Sequence, residues 1–150
     1  MRNSICTCIL VLVWGCASYQ PAVPTNFERE ASIDRPFDEV WNKAVDFFAN
    51  NDIPLKTVQK DSGLIATEYG VALGVTSLDC GKAPLGSFLT DPTANVNVLV
   101  REANGAQVRV NVFGSATLAV QNMNGSMSPI RKVRCESTGE IEAALIQYLN

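Results

Sequence analysis

The sequence predicts an α+β domain in which an antiparallel β-sheet carries two helices on one face. Apolar residues recur with helical spacing in two segments, one early in the chain and one at its end. Between them, short runs of alternating character are separated by turn sequences, Asp61-Ser62-Gly63 and Asn104-Gly105. The expected order is strand, helix, two strands, a long loop, three strands and a helix. At 150 residues the chain suits one domain, and no internal repeat is visible.

The first helix is the clearest predicted element. Residues 28–34 alternate weakly and predict a strand before it. Pro36 suits the first helical turn, and Asp34 is placed to cap the helix. Pro54 follows its end. The spacing i, i+3, i+4, i+7 predicts a buried stripe formed by Phe37, Val40, Trp41, Ala44, Val45 and Phe48.

Loop length decides the register of the first predicted hairpin. A three-residue loop with Gly63 in the left-handed conformation is a common solution for Asp61-Ser62-Gly63. That loop pairs Lys56 with Glu68 and Val58 with Ala66, so that opposite charges meet across the strands.

Valines decide the register of the second hairpin. A two-residue Asn-Gly turn would place Val100 opposite Arg109, whereas a three-residue loop over residues 103–105 places valine opposite valine. The pairs are then Val100 with Val108, Val98 with Val110, and Val96 with Val112. Because a one-residue slip moves every side chain to the other face, the six valines favour the longer loop.

The last third of the chain predicts two more strands and a helix. Gly114 interrupts the alternation and indicates a bulge, after which residues 117–121 continue the strand. Residues 130–136 form the next strand, and Ser137 or Thr138 caps the final helix. The expected buried stripe of that helix is Ile141, Ala144, Leu145, Tyr148 and Leu149.

The N-terminal segment has the pattern of an export signal. Arg2 precedes an apolar run over residues 5–14, which is too short to span a bilayer and has the length of a signal-peptide core. The sequence Val13-Trp14-Gly15-Cys16 then resembles the lipobox of bacterial lipoproteins, with an aliphatic residue, a small residue and the acylated cysteine.

This resemblance implies a location in the cell. Residues 1–15 would be the signal peptide, and Cys16 would carry acyl chains such as palmitate that hold the protein in the membrane. Ala17, in place of Asp, implies the outer membrane. Residues 16–26 would form an extended tether, and residues 27–150 a single domain that faces the periplasm.

Cysteine parity agrees with export. Cys6 and Cys8 leave with the signal, and Cys16 is acylated, so that Cys80 and Cys135 remain in an oxidising compartment. The prediction is a disulfide between them, and the alternative is two free buried thiols. Cys80 lies within residues 70–93, a long stretch without clear elements that such a disulfide would staple to the strand before the last helix. Segments of this length are usually functional or disordered, and a short edge strand with a packed loop is a further interpretation.

Three runs resemble a known module: Phe37-Asp38-Glu39-Val40-Trp41, then residues 51–58, then Lys60-Asp61-Ser62-Gly63 and the strand to Glu68. They are similar to the helix-grip modules of the BamC family of outer-membrane assembly lipoproteins. The likeness covers residues 27–69 and, by architecture, the last helix. It implies a fold and a periplasm-facing setting, and it brings no catalytic residues.

Composition excludes several classes of function. The net charge is −3, which argues against a nucleic-acid surface. The chain has no histidine, so catalysis and zinc binding through histidine are excluded. The remaining catalytic candidates are Ser62 beside Lys60 and Asp61, and Asp79 beside Lys82, all of which turn positions explain. We expect no enzyme activity, no cofactor and no metal.

The expected function is therefore a non-catalytic binding or scaffolding lipoprotein of the cell envelope. Its partners would be the membrane, through Cys16, and another envelope protein. The alternative is a periplasmic carrier of a small apolar ligand or lipid in the groove between helix and sheet. Arg131, Lys132 and Arg134 with Arg109 would suit an acidic partner or lipid headgroup, although a solvated strand face explains them as well. The sequence does not indicate an oligomeric state.

Overall fold

The computed structural model describes residues 18–71 and 76–150. Over these residues it confirms the predicted α+β class and the order of elements, and it adds a two-residue strand within the expected long loop. All strand pairs are antiparallel, in the order β2-β3-β5-β6-β7-β4, and β1 pairs with β6. The elements are β1 (Glu30–Ile33), α1 (Phe37–Asn50), β2 (Leu55–Gln59), β3 (Leu64–Thr67), β4 (Leu78–Asp79), β5 (Ser87–Ala103), β6 (Gly105–Gln121), β7 (Met127–Ser137) and α2 (Glu140–Leu149).

The long hairpin of β5 and β6 forms the centre of the sheet. Each strand has 17 residues, and the predicted register is confirmed, since the three valine pairs face each other as expected. The chain turns at Asn104, where Ala103 already pairs with Gly105. On its other edge, β6 pairs first with β1, along residues 106–109, and then with β7, along residues 114–121.

One face of this hairpin is covered in two halves. Near the Asn104 turn, α1 and α2 pack on the valines, and the residues buried from the helices include Val40, Ala44, Phe48, Leu145 and Leu149. Toward the other end, the segment around β4 covers a second cluster of Ala116, Leu118, Val133 and Cys135. Leu78 packs against both clusters and joins them.

The predicted register of the first hairpin is wrong by one residue. Val58 pairs with Ile65 instead of Ala66. Ile65 is fully buried, and the expected register would have placed Gln59 opposite it, whereas the observed one places an apolar residue there. An irregularity directly after Leu55 then lets Leu55 also pack against the core. Burial of Ile65 therefore outweighs the charge pairing that the sequence suggested.

The bulge expected at Gly114 lies in the neighbouring strand, around Asp91. Gly114 is regularly paired, and its missing side chain serves a close approach instead. A Cβ there would lie 2.6 Å from Leu78 Cδ2 and 2.9 Å from Cys135 Cβ. Glycine at this position thus lets the β4 segment settle onto the sheet.

The first helix buries Val40, Trp41, Ala44 and Phe48 of its predicted stripe, together with Phe47, and Phe37 and Val45 are partly buried. The helix begins differently from the prediction. Pro36 is the N-cap instead of the first helical residue, and no side chain caps the helix, so the predicted role of Asp34 is wrong. In α2, Leu145 and Leu149 are buried as predicted, while Ala144 and Tyr148 are exposed. The buried face of α2 is rotated relative to the prediction and includes Glu142, a charged residue that a hydrophobic pattern does not place in a core.

Glu142 is a fully buried carboxylate at the third position of α2. The predicted cap is displaced, because Gly139 is the N-cap and Ser137 acts from two residues earlier. The Ser137 hydroxyl accepts the Gly139 N–H (3.1 Å) and donates to Glu142 Oε2 (2.8 Å). This relay resembles a capping box with a hydroxyl inserted, and the helix dipole favours the negative charge. The other oxygen, Oε1, has no partner among the described residues.

Gly63 fixes the turn between β2 and β3 against the central hairpin. Its φ is +65°, and its carbonyl accepts the Val100 N–H at 2.8 Å. A Cβ at this position would overlap the carbonyl oxygen of Val100. Only glycine combines this backbone conformation with this contact.

Gly63→Ala is expected to lower the free energy of unfolding in two ways. The left-handed backbone costs about 1–2 kcal/mol for a residue with a Cβ, and the overlap with Val100 forces a shift that costs about 1–3 kcal/mol more. Gly125→Ala is the matched control, because Gly125 has a φ of +82° and nothing within 4 Å. Urea denaturation followed by circular dichroism measures both, and equal losses would contradict the close approach.

Candidate functional site

The predicted disulfide is confirmed. Cys80 and Cys135 are joined across 55 residues of chain. Cys80 directly follows β4, whose residues Leu78 and Asp79 pair with Ser137 and Glu136 of β7. The segment that lacked clear elements in the sequence is thus stapled to the strand before the last helix, and from Ser87 onward it is part of β5.

Hydrogen bonds hold Thr76 and Ser77, just before β4, on the N-terminal turn of α2. The hydroxyls of Thr76 and Ser77 donate to Glu140 Oε2 at 2.7 and 3.1 Å. In return, the Thr138 N–H donates to the Ser77 carbonyl at 3.2 Å, and the Thr138 hydroxyl donates to the Thr76 carbonyl at 2.9 Å. The segment is therefore attached by polar contacts at Thr76 and Ser77 and by the disulfide at Cys80.

The described part of the predicted tether, residues 18–26, lies in part on residues 76–86, which we call the disulfide segment. The Tyr19 hydroxyl donates to the Cys80 carbonyl at 2.8 Å, and the guanidinium of Arg131 lies 5.2 Å from the centre of the Tyr19 ring. Gln20 and Lys82 exchange two backbone hydrogen bonds of 3.0 and 2.8 Å. This contact was not predicted from the sequence, in which the available signal was Tyr19, an aromatic residue in an uncharged segment that contains proline. Cys16 and the predicted signal peptide lie outside the described residues.

The catalytic candidates are engaged in local contacts. Ser62 donates to the Gln59 carbonyl at 3.2 Å, while Lys60 pairs with Asp38 at 2.8 Å. Asp79 accepts the Gly81 N–H at 2.8 Å. The structure therefore does not bring a nucleophile and a base together at these positions.

Within residues 18–71 and 76–150, no group of three or more cysteine, aspartate or glutamate residues is placed to hold a metal ion. In the same ranges, no helix has the length and apolar character needed to cross a membrane.

An open groove lies at the Asn104 end of the hairpin, where three turns meet. It consists of two adjoining hollows of about 590 and 380 Å³, which share Phe37 and Glu102. We call it the turn-end groove, and its lining is formed by residues 34–38, residues 60–63, residues 100–103 and Gly105. Its rim carries four acidic and three basic side chains, and the Lys60–Asp38 ion pair links two of its three turns.

The turn-end groove brings together parts of two of the three runs that resemble BamC modules. Phe37 and Asp38 come from the start of α1, and residues 60–63 come from the turn after β2. Gly63 holds the second of these against β5, as described above. Sequence patterns from two separate segments thus form one surface.

The basic residues singled out in the sequence do not form one patch. Arg131 stacks on Tyr19, whereas Arg134 pairs with Glu136 at 3.2 Å. Arg109 is paired with Glu30 across β1 and β6. Two of the four positive charges are therefore neutralised by neighbours on the sheet.

Replacing Cys80 and Cys135 by serine is expected to lower the free energy of unfolding by at most about 4 kcal/mol, the loop-closure value for a loop of this size. Limited proteolysis should then cut first within residues 76–86, because a segment without its staple opens before the core does. Reduced wild-type protein is the control and should behave like the double variant. Adding reductant to the double variant should change neither its stability nor its proteolysis. Alkylation of both thiols in native, unreduced protein would contradict the disulfide.

Comparison of the chain with protein-family models, with curated proteins and with solved structures found no match. The resemblance of residues 27–69 to BamC modules therefore stays a prediction that rests on the motif residues. The lipobox ending at Cys16 likewise stays a prediction.

Proposed function

We propose that the chain is a lipoprotein anchored in the outer membrane through Cys16, and that its domain is a non-catalytic binding or scaffolding module of the cell envelope. The Cys80–Cys135 disulfide carries this proposal, because structural disulfides persist in oxidising compartments such as the periplasm. The lipobox pattern supplies the anchor, and the docking of Tyr19 on Cys80 supports a fixed connection between anchor and domain.

The turn-end groove is the surface proposed to bind another envelope protein. It combines the partly buried ring of Phe37 with charged side chains of both signs, a composition that suits a protein surface with a polar rim. It also lies at the Asn104 turn, whereas the disulfide lies about halfway along β6, where Cys135 pairs with Gly114. In the proposed arrangement, the anchor leaves this end of the domain free for a partner.

The carrier alternative would require the helix–sheet interface to open. In that interface, Val98, Val108 and Phe48 are fully buried, and they fill the space where a ligand would lie between helix and sheet. Displacing such side chains costs the apolar burial that holds the helices in place. The scaffolding proposal needs no such change.

The anchor is tested by replacing the acylated cysteine. Cys16→Ser is expected to abolish metabolic labelling with a fatty acid and to leave an unprocessed precursor, because the thiol that receives the lipid is absent. Cys8→Ser is the matched control and should be labelled and processed like the wild type. Labelling that persists in Cys16→Ser would overturn the anchor.

The scaffolding role is tested by photo-crosslinking in intact envelopes. A crosslinking amino acid at Ser62 or at Ala103, both exposed on the turn-end groove, should capture the same envelope protein. The control position is Tyr69, which is 77% exposed but outside the groove. Glu102→Lys should remove the crosslink by inverting a charge that both hollows share. Equal capture from Tyr69 would contradict the groove, and a co-purifying small molecule without any crosslink would favour the carrier.

A further inference from the structure

The docked tether places one end of the domain close to the predicted anchor. Tyr19 is fixed to Cys80, and three residue steps separate it from Cys16. A fully extended chain covers at most about 3.6 Å per residue, so Cys16 lies within about 11 Å of Tyr19. This step rests on the proposed function, because it takes Cys16 as the point of attachment to the membrane.

The same end of the domain exposes a group of large apolar side chains. They belong to the loop before β5, the start of β5, the β6–β7 turn and the start of β7, which the pairs Phe88–Ala119, Ala119–Pro129 and Gln121–Met127 bring side by side. Leu85 is 98% exposed and Met123 is fully exposed. We call this region the anchor-end surface, and its exposed apolar residues are Leu85, Phe88, Met123, Met127 and Ile130.

The anchor-end surface carries more basic than acidic side chains. Residues 80–90 and 117–133 contain Lys82, Arg131 and Lys132, the acidic residues that adjoin them are Asp79 and Asp91, and the net charge of the chain is −3. Basic side chains are attracted to anionic lipid headgroups, and apolar side chains beside them insert at the boundary between headgroups and acyl chains. This end therefore has a small excess of positive charge in a chain that is negative as a whole.

We propose that the anchor-end surface lies on the membrane and contacts anionic lipid directly. The short connection from Cys16 selects the membrane over a protein partner, since Tyr19, which docks on this end of the domain, lies within about 11 Å of the residue that the lipid fixes to the bilayer. The domain therefore stands on the membrane with the turn-end groove pointing away from it. The lipid on Cys16 and the anchor-end surface act as two membrane contacts of one body.

Tryptophan depth measurements test this orientation. The acylated full-length mature protein is reconstituted into vesicles of phosphatidylethanolamine and phosphatidylglycerol that contain a lipid brominated on its acyl chains. Met123→Trp should be quenched at least twofold more than Asn104→Trp, which is the control at the opposite turn of the hairpin. Trp41 is 4% exposed and contributes the same background to both variants. Equal quenching of the two variants would overturn the proposal.

Charge reversal tests the lipid chemistry. Lys82→Glu with Lys132→Glu, introduced into the Met123→Trp variant, should lower the quenching at least twofold. Lys56→Glu with Arg29→Glu makes the same change in charge at two exposed residues elsewhere and should leave the quenching unchanged. Equal effects of the two pairs would show that net charge, and not this surface, governs the contact, and would overturn the proposal.

Intact mass of the purified protein separates the two proposals. A mass without acyl chains would overturn the anchor on Cys16 and, with it, the proposed function. An acylated protein in which Met123→Trp is quenched no more than Asn104→Trp would leave the anchor intact and overturn only the membrane contact.

Discussion

The packing of six valines in the β5–β6 hairpin is the interaction on which the rest of the structure depends. Each valine on β5 faces a valine on β6, and both helices pack on the surface that these pairs create. A slip by one residue would turn that surface away from the helices and expose it. The hairpin also supplies both edges to which the other strands attach, β3 on β5 and β1 with β7 on β6. Helices and edge strands are thus placed by one register.

The hairpin is longer than its helices can cover, and the disulfide segment completes the cover. Gly114 marks the boundary, since only a residue without a Cβ lets Leu78 approach the sheet beside Cys135. Apolar contact and the disulfide hold the segment on this side, and the Ser137–Glu142 relay fixes the adjoining turn into α2. A buried carboxylate with one unpartnered oxygen is costly. The cost is offset in part by the helix dipole and by satisfaction of the Gly139 N–H.

The sequence specifies this fold where local pattern and burial agree. The valine register and the stripe of α1 follow from periodicity, and the disulfide follows from cysteine parity combined with the lipobox. The first hairpin register fails because Ile65 is buried by tertiary contacts that strand pairing does not reveal. Glu142 is missed because a charged residue is rarely assigned to a core. The turn-end groove depends on turns that are distant in sequence, so its residues were visible as a motif but their meeting point was not.

In the proposed arrangement, the docked tether fixes the orientation of the domain on the membrane, which a flexible tether would not do. In the proposed lipoprotein, a free tether of eleven residues would let the domain take any orientation on the membrane, whereas the contacts of Tyr19 and Gln20 leave only a short connection to Cys16. A 17-residue strand at about 3.3 Å per residue then separates the two ends of the hairpin by about 50 Å. In the proposed arrangement, the turn-end groove is therefore held at a set distance from the membrane. A partner that binds it meets a surface whose height and orientation are fixed by the same hairpin register that builds the core.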